Sequence, residues 1–183
     1  MNFNPWHSVS PGDNVPHSVN AIIEIPRNSR AKYELDKETG LLRLDRVLYS
    51  SVYYPANYGF VPHTLSPDGD PIDALVIARS SFVPGCVVRV RPIGVLFLED
   101  EHGGDEKLIT VPLDSTFPYY SDVGERQDLP SIIFQQIEHF FTHYKDLEPD
   151  KWVRVGRWGH ADEAKRIVME AIERANENAP EGA

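Results

Sequence analysis

Cysteine is almost absent: among 183 residues only Cys86 carries a thiol. A disulfide framework within the chain is therefore excluded, and the composition points to a reducing compartment, the cytoplasm. Basic groups are scarce as well. Eighteen lysines and arginines face 28 acidic residues, for a net charge of −10, the opposite of the basic face that grips nucleic-acid phosphates. No stretch approaches the ~18 consecutive apolar residues of a membrane span. The first twenty residues hold no lysine, no arginine and no apolar run, so they do not read as a secretory leader. The P-loop pattern of glycines before Lys-Ser or Lys-Thr is also missing.

What is present reads as one globular domain, since 41% apolar and 25% charged residues are ordinary values. Prolines 5, 11 and 16 make residues 1–20 an extended arm. Short strand-like runs follow at Ala21–Ile25, Lys32–Leu35 and Ala74–Ala78. Cys86–Arg91 alternates with period two, and Ile93–Leu98 and Lys107–Val111 flank an acidic glycine-containing loop as a hairpin would. Helices come late. Asp128 is placed to cap one that carries Ile133, Ile137, Phe140, Phe141 and Tyr144 on a single face. A second runs from about Asp162 to Asn176, and Pro180 and Gly182 mark a frayed end over 177–183. Five short strands before any helix predict an α+β fold, a small antiparallel barrel covered by helices.

Two acidic clusters carry the chemistry. Asp68-Gly69-Asp70-Pro71-Ile72-Asp73 places three carboxylates in six residues, a repulsion tolerated where cations or solvent lie between them. A solvated Asp-Pro-Gly turn has the same composition. An EF-hand does not fit, because its glycine at position six and glutamate at position twelve are missing. The second cluster, Glu99 to Glu106, holds five carboxylates in eight residues before Lys107, which by itself describes a charged hairpin tip. Taken together, Asp68, Asp70, Asp73, Asp100 and Asp105 could form an all-oxygen cage suited to magnesium rather than zinc. Such a cage calls for a substrate with its own oxygens, most often phosphate. Lys32, Arg46, Lys107 and Lys145, with Tyr54, Tyr58 and Tyr144, are the groups available to bind it.

These residues resemble the soluble family I inorganic pyrophosphatases from Ile23 to about Ala175. The signature Asp-x-Asp-Pro-(apolar)-Asp is matched in full by Asp68–Asp73. The flanking blocks agree too: Ile23-Glu24-Ile25-Pro26, Lys32-Tyr33-Glu34, Asp45-Arg46, Tyr54-Pro55-Ala56-Asn57-Tyr58-Gly59, Arg91 to Leu96, Asp100 to Lys107, and His143 to Glu148. Residues 27–31 look one residue shorter than in some bacterial members, and the N-terminal arm matches poorly.

The resemblance implies a single domain over 1–183, built on a five-stranded OB-like barrel with helices outside. It implies hydrolysis of pyrophosphate to two orthophosphates by direct attack of a metal-activated water, with Mg2+ as cofactor. By carry-over, Asp68, Asp73, Asp100 and Asp105 are metal ligands, Glu24 is an outer carboxylate and Asp70 is the general base. Lys32, Arg46, Tyr58, Lys107, Tyr144 and Lys145 become phosphate contacts. His139 and His143, four apart on one helix face, are placed at a contact between trimers of a homohexamer, if the source is bacterial. Two rivals remain on residues alone: a magnesium phosphohydrolase for nucleotides or longer polyphosphates, and a non-catalytic OB-fold binding module.

Overall fold

The computed structural model describes residues 4–178; Pro180, Gly182 and most of the segment read as frayed lie outside them. The arm is not simply extended. It opens with a one-turn helix, α1 (Pro5–Ser8), capped by the Asn4 side chain, which accepts a hydrogen bond from the Trp6 amide at 2.9 Å. Trp6 is buried against Ile22 and Phe60, and its indole N–H donates to the Thr64 carbonyl at 2.9 Å. Burial of so large an aromatic surface outweighs the extended preference of a proline-rich segment.

Eight strands follow: β1 (Val19–Ile25), β2 (Ala31–Leu35), β3 (Leu42–Val47), β4 (Asn57–Phe60), β5 (Asp73–Val76), β6 (Val87–Asp100), β7 (Gly103–Pro112) and β8 (Val153–His160). Two longer helices, α2 (Ser131–His143) and α3 (Ala161–Glu177), complete the chain. Six strands form one sheet in the order β1-β4-β5-β7-β6-β8; β2 and β3 form a separate hairpin. β6 also pairs with β1, so β1, β4, β5, β7 and β6 make a closed circuit. The length of β6 permits this: its first residues, Val87 to Val90, pair with β1, and Gly94 to Asp100 pair with β8. The two runs read as separate strands are thus one strand, irregular between Pro92 and Gly94, where proline has no N–H to donate.

The α+β class holds, and the core is mostly sheet. The closed circuit has five strands, with three more among the described residues, but it is not purely antiparallel: β5 pairs with β7 in parallel, Asp73 opposite Lys107 and Val76 opposite Thr110. The reason is topological: β5 does not make a hairpin with β6, which pairs with β1 and β7, and the β6–β7 hairpin brings β7 back beside β5 in the same direction. Strand β8 was not foreseen, because its arginines and glycines hide the alternation.

α2 buries Phe134, Ile137, Phe140 and Phe141 on one sheet face, together with Leu75, Leu96, Leu98, Ile109 and Val111. α3 buries Ala164, Ile167, Val168 and Ala171 with Ala74, Val76, Val95 and Leu108. The sheet thus has apolar partners on both faces. Asp128 does not cap α2. Pro130 occupies that position without a side-chain bond, while the Asp128 carboxylate accepts from the amides of Gly124 and Glu125 at 2.9 and 2.8 Å. These two amides, just ahead of the short 3-10 turn Arg126–Asp128, take its oxygen by proximity. No helix among the described residues is long and apolar enough to cross a membrane.

β1 and β4 approach so closely at Gly59 that a Cβ there would sit 1.8 Å from the Ile22 carbonyl oxygen. Gly59→Ala should therefore cost about 3 kcal/mol through overpacking. The expected result is a lower denaturant midpoint at unchanged m-value; an unchanged midpoint would show that β1 and β4 can separate freely.

Candidate active site

The alternation of each strand carries an apolar row out of the α2-covered core and ends it in charge. On β5 the row is Leu75 then Asp73; on β6 it is Leu96, Leu98, then Asp100; on β7 it is Val111, Ile109, Lys107, then Asp105. Three neighbouring strands thus deliver their polar ends to one place. Asp100 is fixed further by the hairpin, where it pairs with Gly103 and its carboxylate accepts from the His102 amide at 2.8 Å. Gly103 follows with φ +120°, a left-handed conformation that glycine adopts freely.

β1 contributes Glu24 at an irregularity between Ile23 and Ile25. Its carboxyl is buried, accepts from the Leu35 amide at 2.7 Å, and has its pKa pushed up to about 8, by burial first and then by the charge of Asp73. β2 and β3 set Lys32 directly opposite Arg46. Asp68 and Asp70 sit on the turn before β5, where the Asp68 carboxylate accepts from the Asp70 amide at 3.0 Å and Gly69 has φ +90°. Tyr144 and Lys145 follow directly from the C-terminus of α2.

All these side chains line one cleft of about 750 Å3: Glu24, Lys32, Arg46, Tyr58, Asp68, Asp70, Asp73, Asp100, Asp105, Lys107, Tyr144 and Lys145. Every residue that the family resemblance assigns to the site therefore lines this cleft, but one group offered on the residues alone is missing from it. That group is Tyr54, buried against Tyr58 and Phe140 in the core below. Cys86 packs with the α3-side core. Sequence reasoning did not assign site roles to Lys37, Glu34, Asp45, Glu101 and Lys151, which also line the cleft, or to Glu148, which holds Arg46 through Nε at 2.9 Å. Asp45 is next to Arg46 and Glu34 two residues from Lys32, so position alone points to them; Lys37, in a polar turn, has no pattern to reveal it.

The charges interlock. Lys107, only 5% exposed, contacts Asp73 and lies 2.6 Å from Asp105. Burial pulls its ammonium pKa down, but the two carboxylates more than offset this and hold it above the ordinary lysine value. Lys145 reaches Asp100 at 2.9 Å and Glu101 at 3.0 Å. Lys32 spans Glu34 and Asp45. Tyr58 and Tyr144 are held above the usual phenol range, chiefly by burial, so both remain hydrogen-bond donors at neutral pH.

Asp105 has its pKa raised by burial and by the charges of Asp73 and Asp100, against the pull of Lys107. Among the described residues no three His, Cys, Asp or Glu side chains converge on a single point, because ammonium groups lie between the carboxylates. The donor set nevertheless fits a hard divalent cation: only carboxylate oxygens, several of them repelling one another across a polar cleft.

A cleft with that donor set, ringed by lysine, arginine and buried tyrosine hydroxyls, defines a class: hydrolases that act on phosphoric anhydrides with divalent cations. The sequence model of the family described as inorganic pyrophosphatase matches residues 21–176. An inorganic pyrophosphatase of Bradyrhizobium diazoefficiens is 54% identical over 168 residues, covering 91% of this chain and 94% of that one. Another from Brucella melitensis is 54% identical over 169 residues, covering 92% and 96%. The crystal structure of the Thermus thermophilus inorganic pyrophosphatase superposes with a TM-score of 0.91 at 41% identity, covering 95% of this chain and 99% of that one. The chain belongs to the inorganic pyrophosphatase family.

An ammonium held above its ordinary pKa gives its full stabilisation at pH 7 and loses it only in strong alkali. Lys107→Met would leave the two partly buried carboxylates of Asp73 and Asp105 facing each other. It should cost about 3 kcal/mol at pH 7, and the deficit should shrink as pH falls and Asp105, whose pKa is already raised, takes up a proton. Thermal melts across pH 4–8 read this out; a deficit independent of pH would mean that side-chain packing, not charge, is what Lys107 supplies.

Proposed function

We propose that the cleft hydrolyses inorganic pyrophosphate to two orthophosphates by direct in-line attack of water, with Asp70 as general base and Mg2+ as the cation. The observation that carries this reading is the gathering of acidic and basic side chains from six strands, the Asp68–Asp73 turn and the end of α2 into one cleft. Bound by Asp68, Asp73, Asp100 and Asp105, with Glu24 behind them, magnesium would screen the substrate's charge and acidify water. Lys32, Arg46, Lys107 and Lys145 hold the phosphate oxygens and stabilise the charge that grows on the leaving phosphate. The protonated hydroxyls of Tyr58 and Tyr144 donate to the same oxygens. Asp70 is more than half exposed and accepts the proton of the attacking water as the new P–O bond forms and the bridging P–O bond breaks. No covalent enzyme intermediate is required, and Cys86 lies away from the cleft.

Phosphate release from pyrophosphate, triphosphate and ATP in magnesium tests the substrate. Pyrophosphate should be strongly preferred; equal turnover of ATP would favour the broader phosphohydrolase. Asp70→Asn should lower turnover by ~10²-fold or more while sparing cation affinity. Asp68→Ala and Asp73→Ala should weaken cation binding in calorimetry. Equal loss of affinity in Asp70→Asn would place Asp70 among the ligands. Calcium, with longer bonds and more ligands, should compete with magnesium and support almost no hydrolysis; comparable turnover in calcium alone would refute the tight geometry assigned to these aspartates.

The chain would act as a homo-oligomer, a hexamer on the family resemblance. The surface that supports this lies on α2, where His139 and His143 stand 4.6 Å apart between ring centres and His143 Nδ1 is 2.7 Å from Asp146. Beside them Ile132 and Tyr53 are exposed and line a groove with Arg27 and His139. Sedimentation at neutral pH should give a species several times heavier than the 20.7 kDa chain; a monomer would exclude the assembly.

A further inference from the structure

The cleft lysines are not equivalent. Lys32, Lys107 and Lys145 each bridge two carboxylates, whereas Lys37 contacts one, that of Asp70. Among the described residues, Lys37 is also the only side chain that hydrogen-bonds or ion-pairs with the Asp70 carboxylate. Its second neighbour is aromatic. The Lys37 ammonium lies 5.2 Å from the centre of the Trp6 ring, and Trp6 is itself 93% buried, pinned by its bond to Thr64. The Asn4 side chain donates to the Lys37 carbonyl at 2.7 Å. The arm thus grips the turn between β2 and β3 at both its backbone and its side chain, and lines the cleft with Trp6.

We infer that Lys37, held by the N-terminal arm through Trp6 and Asn4, is a positioning residue that orients the Asp70 carboxylate. The inference rests on the assignment of Asp70 as general base. The physical case is one of constraint. Asp70 is exposed on a turn that contains a left-handed glycine, so its carboxylate samples several rotamers unless something selects one. A single ammonium on a long flexible stem selects little by itself, because exposed ion pairs are weak. An ammonium seated on a fixed indole face is restrained at both ends, since cation–π attraction limits where the charge can sit. Proton transfer depends steeply on placement, and ~1 Å of misplacement costs up to about 10²-fold.

The decisive measurement is a double-mutant cycle on phosphate release under saturating magnesium, with the full chain. Lys37→Ala should lower kcat by about tenfold and move KM by less than about threefold, and Lys37→Arg should restore most of the loss. Trp6→Leu, which keeps an apolar plug, should show a smaller loss in the same direction. In the Asp70→Asn background, Lys37→Ala should cost almost nothing further, because a residue acting through Asp70 has nothing left to orient. Thermal melts of each variant separate these effects from unfolding of the arm. A multiplicative further loss in the Asp70→Asn background, or a rise in KM as the main effect, would overturn the inference and make Lys37 a direct phosphate contact; unchanged kcat in Lys37→Ala would remove it from the reaction. If Asp70→Asn alone retains full activity, the base assignment fails instead, and the two failures are distinct.

Discussion

A buried ammonium between two carboxylates is the constraint on which this structure turns. Lys107 is nearly inaccessible and lies beside Asp73 and Asp105, at the point where the apolar rows of β5 and β7 give way to charge. Removing ionic groups from water costs several kcal/mol each unless they are paired and hydrogen-bonded. The parallel pairing of β5 and β7, which sets Asp73 opposite Lys107, provides that pairing with backbone precision. Were β5 and β7 shifted by one residue, Asp73 would face the apolar α3 side and Ala74 the cleft. The register of the sheet and the electrostatics of the site therefore specify one another.

The same logic extends around the cleft as a set of interchangeable partners. Each bridging lysine occupies carboxylates, and each of those carboxylates is a hard oxygen donor. Under the proposed function, a phosphoric anhydride would offer the lysines new oxygens, and divalent cations would offer the carboxylates new charges. Opposite charges would then be exchanged without any group being left bare in the cleft, the costly outcome for a buried ion. The buried tyrosines fit the scheme: with pKa values held high by burial, they supply hydrogen without adding charge.

Much of this was legible in the sequence, for definable reasons. The Asp68–Asp73 signature is a local pattern, and the turn it describes forms through near-neighbour bonds alone. The Asp100 to Lys107 block was legible because period-two alternation puts Asp105 and Lys107 on one face, and the short hairpin returns them to Asp100. The apolar faces of α2 and α3 follow from their spacing. What escaped depends on long-range competition. The parallel β5–β7 pair requires knowing which strand β6 leaves free. The cap expected of Asp128 was lost to a turn whose amides are nearer. β8 carries Arg154, Gly156 and Arg157 where a strand usually shows apolar residues, and it adds to the sheet because the second half of β6 presents an open edge. Lys37 lies in a polar turn 33 residues from Asp70, and no periodicity links the two.

The acidic residues of the cleft are divided between paired strands and an exposed turn. Asp73 and Asp100 are paired with strands on both sides and Asp105 with β6 on one, with apolar rows beneath them, so their carboxylates are held in place as the proposed ligand role requires. Asp70 is on an exposed turn with a left-handed glycine before it, a place suited to the proposed base, which would take a proton and release it to solvent. The freedom that helps release also weakens aim. The docked arm, with Trp6 buried and Lys37 seated on it, lies where it can restore aim without burying the carboxylate. A segment outside the closed circuit of strands, and outside the stretch that the family model matches, is thereby drawn into the wall of the cleft.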